Sequence, residues 1–149
     1  ILLIQLVAIP GAFLISRLSS RLGNFNALMI VIFFWIIICV AAYFVPKHNI
    51  VLFYGLGACV GFVMGGIQSL SRSTYSKLMP ETKDTASFFS FYDVTEKIAV
   101  VIGMFSFGYI TELTGSQRNS VLTLGAFFLV GLIILLFAKK AQKKQLEVI

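Results

Sequence analysis

The sequence predicts an all-α integral membrane protein, a polytopic helical bundle that forms a single transmembrane domain. Of the 149 residues, 58% are hydrophobic and only 12% are charged, about half of the roughly 25% that is usual in soluble domains. The mean hydropathy is +0.95. The apolar residues are gathered in five stretches that approach the length of about 20 residues needed to span a bilayer. A soluble globule, a disordered chain and a disulfide-rich secreted scaffold are therefore excluded.

Short polar turns divide the chain into its elements. The helices are expected at about 1–16, 26–45, 50–79, 85–113 and 119–138, followed by a basic tail over 139–149. Gly23 is suited to the end of the first helix, the third ends before Pro80, and either Thr82 or Asp84 caps the fourth. Because the connections are only a few residues long, consecutive helices are expected to be antiparallel neighbours. The chain opens within an apolar run, so we expect a fragment that starts inside a helix.

The basic residues predict the orientation. Nine of the twelve lie in the first and third connections and in the tail, whereas the second and fourth connections hold only Lys47 and Arg118. By the positive-inside rule, the C-terminus then faces the cytoplasm. This topology also explains the net charge of +6, because cations at helix ends face anionic lipid. The lipid bilayer is thus an expected partner and nucleic acid is not.

Three charged residues, Asp93, Glu96 and Lys97, interrupt the mainly apolar stretch 88–109 of the fourth helix. A charge near the middle of a bilayer costs about 2.5–3.5 kcal/mol, so such groups face a bundle interior or an aqueous cavity and find partners. Asp93 and Lys97 are four residues apart and are expected to pair on one helix face. We interpret the group either as a polar patch along a solute or proton path at an inner gate, or as a self-neutralising pair near the cytoplasmic interface.

The third helix carries Gly57, Gly61 and Gly65 at four-residue intervals. Small residues at this spacing strip side chains from one helix face and let another helix approach closely. We interpret them as a packing face, with a hinge that bends during transport as the alternative. Gln68 continues this face and could donate hydrogen bonds to a solute or to a neighbouring helix.

Residues for catalysis or for a bound metal or cofactor are lacking in the sequence. His48 is the single histidine, and Cys39 and Cys59 lie in separate apolar runs. Glycine-rich loops of the kinds that bind nucleotide phosphates are also missing. We therefore expect no enzyme activity, no metal and no cofactor.

Two segments carry a family resemblance. Residues 68–80 run Gln-Ser-Leu-Ser-Arg-Ser-Thr-Tyr-Ser-Lys-Leu-Met-Pro, and residues 88–93 run Phe-Phe-Ser-Phe-Tyr-Asp, followed by Lys97, Gly103 and Phe107-Gly108. In these segments the chain resembles the C-terminal half of a major facilitator superfamily (MFS) transporter of the vacuole effluxer-like branch, which has bacterial and fungal members. The resemblance implies that the five helices are helices eight to twelve. The N-terminal half of the same transporter is then an expected partner, because MFS solutes pass between two six-helix halves.

The first connection is similar to a degenerate copy of the MFS loop signature. Ala12, Ser16, Arg17 and Arg21 stand at its positions, with Ser16 in place of the usual acid. Arg17 and Arg21 are therefore assigned to a cytoplasmic loop signature.

The resemblance implies a secondary active transporter that moves a small solute by alternating access, with amino acids as the leading class and protons as a possible coupling ion. Under this hypothesis we assign Gln68 to the solute path, and Arg72 and Tyr75 to a cytoplasmic gate. The three charged residues of the fourth helix, Asp93, Glu96 and Lys97, are assigned to a gate or coupling network. The alternative for Arg72 is that it serves only as a positive-inside anchor, which sets the orientation of the helix in the membrane.

A second hypothesis makes the chain a non-transporting membrane scaffold or interaction subunit, whose glycine face mediates assembly. Under the transporter hypothesis, the chain is expected to be a multi-pass protein of a bacterial cytoplasmic membrane.

Overall fold

A computed structural model describes residues 1–46 and 48–146, the last two by their backbone alone. Its helices are α1 (Leu2–Leu22), α2 (Asn24–Phe44), α3 (Ile50–Leu78), α4 (Thr85–Thr114) and α5 (Gln117–Leu146). All five are long and apolar enough to cross a membrane. The predicted all-α fold class is confirmed. Lys47 and residues 147–149 lie outside the described residues.

Two helix ends differ from the sequence prediction. The first connection is helical up to Gly23, because the hydroxyls of Ser19 and Ser20 donate to the carbonyls of Ser16 and Arg17, at 3.0 and 2.7 Å. These serines satisfy their own hydrogen bonds within the helix and so do not end it. Gly23, with φ of +85°, is the break between α1 and α2. At the other end of the chain, α5 continues to Leu146, so the described part of the basic tail is helical.

The helices do not pack in chain order. α1 packs chiefly on α3 and only slightly on α2, while α2 lies between α3 and α5, and α4 packs on α5. Consecutive helices are therefore neighbours, as expected, but not equally close ones: α1 touches α2 only slightly, and α3 meets α4 with no pair of Cα atoms within 8 Å. Short connections determine the direction of the next helix. Which helices pack closely depends instead on which helix faces carry small or apolar residues.

The contact between α1 and α3 is made at four glycines, here called the glycine seam: Gly11, Gly61, Gly65 and Gly66. A Cβ atom on Gly61 would lie 2.5 Å from the carbonyl oxygen of Ile4, and one on Gly65 would collide with the carbonyl of Ala8. The paired positions advance together along both chains, so α1 and α3 run parallel. The two backbones thus touch directly along the seam.

Gly57 does not belong to the seam. A Cβ atom there would make only ordinary contact with Leu3, at 3.8 Å. Gly11 and Gly66 instead complete the close approach, against the backbone of Phe62 and the side chain of Ile15.

The α2 and α5 helices are antiparallel. Trp35 stacks on Phe128 with ring centroids 5.1 Å apart, and Arg118 Nη2 donates to the carbonyl oxygen of Val45 at 2.6 Å. This hydrogen bond connects the start of α5 to the end of α2. The buried core lies among α1, α2 and α3, whereas no residue of α4 is buried within the described chain.

The bundle has two chemically different ends. The α1–α2 and α3–α4 connections and the C-terminus of α5 share one end, here called the basic end, while Arg118 lies at the opposite end. Within the described residues, nine bases belong to the basic end: Arg17, Arg21, Arg72, Lys77, Lys83, Lys139, Lys140, Lys143 and Lys144. The charge asymmetry predicted from the sequence is therefore carried by the folded bundle.

Candidate functional site

A group of polar side chains connects α3 to α4 towards the basic end. We call it the α3–α4 cluster; its members are Gln68, Ser71, Arg72, Tyr75, Tyr92, Asp93 and Glu96. The Cα atoms of α3 and α4, both fully described, nowhere come within 8 Å of each other. The two helices are therefore joined without backbone-to-backbone packing, through contacts that each involve at least one side chain.

Arg72 lies at the centre of the cluster. Its Nη2 atom donates to Asp93 Oδ1 at 2.7 Å and lies 3.6 Å from Glu96 Oε2. Hydrogen bonds between charged partners are the stronger kind. The guanidinium also lies 5.5 Å from the ring centroid of Tyr92, within range of a cation–π contact. One cation on α3 thus contacts two carboxylates on α4.

Lys97 does not pair with Asp93 as the sequence predicted. Asp93 bonds across the gap to Arg72 instead, and Lys97 is exposed and forms no hydrogen bond or ion pair within the part of the chain that the structure describes. The i,i+4 spacing permits the intrahelical pair, but Asp93 and Glu96 both reach the α3 side, where Arg72 offers a charged donor. The predicted self-neutralising pair is therefore wrong.

Two tyrosines hold the helices in register. Tyr75 Oη donates to the carbonyl oxygen of Phe88 at 2.9 Å, and the hydroxyls of Ser71 and Tyr92 share a hydrogen bond of 2.7 Å. The rings of Tyr75 and Tyr92 lie 5.0 Å apart. The sequence interpretation gave Tyr92 no role, although its position four residues before Glu96 places both on one helix face.

A cavity of about 250 Å³ opens beside these residues. Its lining includes Gln68, Arg72, Tyr92 and Glu96. Gln68 is exposed, and its amide has no hydrogen-bond partner among the described residues. The cavity is a little smaller than typical ligand sites of about 300–1,000 Å³. It offers a free amide, a guanidinium and a carboxylate to a small polar molecule.

The other assigned residues lie apart from the cluster. Arg17 and Arg21 are exposed on the last turns of α1. Neither guanidinium bonds to another side chain in the described ranges, 1–46 and 48–146. Because α1 continues through these positions, the predicted loop signature is helical. The structure gives these residues no contact with Arg72 or its partners.

The first turn of α4 is fixed by Asp84, one of the two caps considered from the sequence. Asp84 Oδ1 accepts from the backbone N–H of Ser87 at 3.3 Å, and Oδ2 accepts from the Ser87 hydroxyl at 2.7 Å. Thr82 instead accepts from the N–H of Asp84. The side-chain and backbone hydrogen bonds from Ser87 lower the pKa of Asp84. This cap positions the turn from which Phe88 and Tyr92 reach α3.

Comparison with known protein families identifies the chain. The family described as "Vacuole effluxer Atg22 like" matches residues 1–147. The chain belongs to this family. The predicted vacuole effluxer-like branch is thereby confirmed.

Relatives of this Atg22-like chain come from bacteria and fungi. The MFS-type transporter YxiO of Bacillus subtilis is 34% identical over 133 residues, which cover 89% of this chain and 30% of YxiO. Autophagy-related protein 22 of Cryptococcus neoformans is 31% identical over 147 residues, covering 89% of this chain and 26% of that protein. The Atg22-like chain thus spans less than a third of either relative. No solved structure matches it.

The polar side chains in this Atg22-like protein form an interhelical network of charged and hydrogen-bonding groups. No group of three or more potential metal-ligating side chains occurs among the described residues. The α3–α4 cluster combines an interhelical ion pair with a carboxylate, Glu96, that lies farther from Arg72 than Asp93 does. Such a network changes its strength when either carboxylate gains a proton or when the helices separate.

Proposed function

We propose that the protein containing this chain is a secondary active transporter that moves a small solute by alternating access, and that the α3–α4 cluster is part of its gate. Family membership and the MFS-type relative support transport in general. The observation that carries the gate is the joining of α3 to α4 by side-chain contacts without backbone packing, centred on Arg72. Because no backbone packing holds them, the two helices can separate by breaking a few polar and aromatic contacts.

We propose amino acids as the solute class and protons as the coupling ion. The small cavity beside Gln68 and Glu96 supports a small polar solute, and an amino acid offers both an amine and a carboxylate to such a lining. Asp93 and Glu96 supply groups that can take up a proton. Because MFS solutes pass between two halves of a transporter, the N-terminal half of the same protein would form the other wall of the path.

We further propose that the basic end faces the cytoplasm of a bacterial cell. The gathering of nine described bases at that end supports this orientation. A bacterial membrane is supported by the Bacillus relative, which is 34% identical to this chain and covers 89% of it. Under this orientation, the α3–α4 cluster gates the cytoplasmic side.

The scaffold hypothesis receives less support. Gly61 and Gly65, which were to mediate assembly, are covered by α1 of the same chain. An assembly interface would have to use another surface.

Transport by the full-length protein in sealed proteoliposomes tests the proposal. A mixed pool of amino acids is followed by mass spectrometry, with and without a proton gradient. Arg72→Gln removes the charge that contacts both carboxylates and is compared with Lys83→Gln, which removes a charge outside the cluster. We expect gradient-dependent transport that falls about tenfold to a hundredfold in Arg72→Gln, the equivalent of one charge-assisted hydrogen bond.

Other outcomes would revise the proposal. Equal transport by both variants would remove Arg72 from the gate and leave it as a topology anchor. No movement of any amino acid by correctly inserted protein would contradict the proposed solute class. A Lys97→Gln variant that transports but no longer responds to the gradient would place Lys97 in the coupling network.

A further inference from the structure

A second cavity lies at the basic end, between the α1–α2 junction and the last turns of α3 and α5. Its volume is about 400 Å³, and none of its described lining residues comes from α4. It is therefore separate from the α3–α4 cluster, and its role does not depend on the proposed transport activity.

The lining of this cavity is strongly cationic. Lys77, Lys139 and Lys143 line it, and no carboxylate is among its described lining residues. Lys77 Nζ donates to Asn24 Oδ1 at 2.8 Å, and Lys139 Nζ donates to Asn26 Oδ1 at 2.5 Å. These asparagine partners are neutral, so they orient the ammonium groups without cancelling their charge.

The start of α2 adds a second source of positive potential. Gly23 and Asn24 line the cavity, and α2 has no capping side chain and no acidic residue in its first turn. The N-terminus of a 21-residue helix presents unpaired N–H donors and the positive end of the helix dipole. Asn24 is held in place because its Nδ2 atom donates to the buried hydroxyl of Thr74 at 3.1 Å.

Lysines and a helix N-terminus around one cavity favour a phosphate group. We propose that this cavity binds the phosphate of an anionic phospholipid headgroup. Basic pockets between membrane-spanning helices at the cytoplasmic side are suited to such headgroups. The bound headgroup would contact α2, α3 and α5 together and so stabilise their arrangement at the basic end.

The test measures thermal unfolding of the full-length protein in detergent micelles. Dioleoyl phosphatidylglycerol is titrated against dioleoyl phosphatidylcholine, which has the same tails and no net charge. A second arm adds inorganic phosphate at constant ionic strength. Lys77→Gln and Lys139→Gln each keep a donor for asparagine while removing the charge. Lys140→Gln removes a neighbouring exposed charge that does not line the cavity.

We expect phosphatidylglycerol to raise Tm saturably and phosphatidylcholine to have a much weaker effect. Each glutamine variant at Lys77 or Lys139 should weaken the apparent affinity about fivefold, and Lys140→Gln by less than about twofold. Lys139→Arg keeps the charge and should keep the response, which separates loss of binding from a folding defect.

Saturable stabilisation by inorganic phosphate alone, lost in the same variants, would support the phosphate site and assign it to a soluble ligand. Equal stabilisation by the two lipids, or an equal loss of affinity in Lys140→Gln, would overturn the proposal.

Discussion

Arg72 determines the electrostatics of the α3–α4 cluster because it contacts both carboxylates of α4. The sequence indicated that Asp93 and Glu96 needed partners inside the membrane, and the structure supplies Arg72 as that partner. The sequence of α4 predicts Lys97 as the partner of Asp93, because contacts along the same helix, such as i,i+4 pairs, are the only ones that the spacing within a single helix can indicate. The pair that forms depends on how α3 lies beside α4, and no local pattern in either segment contains that information.

Asp84 provides a pH-dependent contribution to stability at the start of α4. Its hydrogen bonds from Ser87 lower the pKa of this carboxyl in the folded chain, so the folded state favours the ionised form. The stabilisation is then fully present above the ordinary aspartate pKa of about 4 and is lost as the pH falls through the lowered pKa. Asp84→Asn should therefore have a lower Tm than the wild type at pH 7, and the difference should shrink below about pH 4.

Thermal unfolding of the full-length protein in detergent between pH 3 and pH 8 measures this difference. Ser87→Ala removes the hydroxyl donor and should move the acid transition to higher pH, because one hydrogen bond to the ionised form is lost. A difference between wild type and Asp84→Asn that stays constant down to pH 3 would contradict the capping role.

At the scale of the helices, the sequence predicts the packing faces of the helices better than the residues at which the helices end. Four-residue spacing identified Gly61 and Gly65 as positions where a helix could approach, and the structure places the α1 backbone there. Gly11 was missed because its role appears only once α1 is known to be the partner, and Gly66, which follows Gly65 directly, falls outside the four-residue spacing. The extension of α1 to Leu22 was missed because serine and arginine resemble a turn in composition, although serine hydroxyls can bond within a helix.

The glycine seam should not tolerate side chains. In Gly65→Ala the added methyl group would collide with the Ala8 carbonyl, a backbone atom that cannot rotate away. Overpacking of this kind costs about 1–3 kcal/mol in the free energy of unfolding. Gly55→Ala is the matched control on the same helix, because nothing lies within 4 Å of its added Cβ. It should be neutral or slightly stabilising, since alanine favours helices over glycine.

Thermal unfolding in detergent compares the two variants. A clear fall in Tm for Gly65→Ala, with no fall for Gly55→Ala, is the expected result. If both variants behave alike, the two backbones do not touch at Gly65 in the membrane protein.

At the scale of the whole molecule, the number and direction of the helices follow from the sequence, but their packing order does not. Apolar length and short connections dictate five alternating spans. The pairing of α1 with α3 and of α2 with α5 joins segments that are distant in the chain. It depends on which glycine-rich and aromatic faces match, a property of surfaces that no single segment displays.

The orientation of the bundle can be tested with single cysteines in a full-length variant from which every native cysteine, including Cys39 and Cys59, has been removed. Gln117→Cys lies at the end opposite the basic end, and Lys140→Cys lies at the basic end; both positions are exposed. In intact cells a membrane-impermeant maleimide should label Gln117→Cys and should reach Lys140→Cys only after permeabilisation. The reverse pattern would place the basic end outside and contradict the proposed topology.

The glycine seam also has a mechanical consequence. Because backbone meets backbone along it, α1 and α3 form a stiff unit, and Arg72 lies eleven positions beyond Gly61, or about 16.5 Å at the helical rise of 1.5 Å per residue. A rigid tilt of about 10° over that length would displace the guanidinium by about 3 Å. That displacement exceeds the 2.7 Å that separates Arg72 from Asp93. A small rotation of this undeformed pair of helices would therefore break the contact between Arg72 and Asp93.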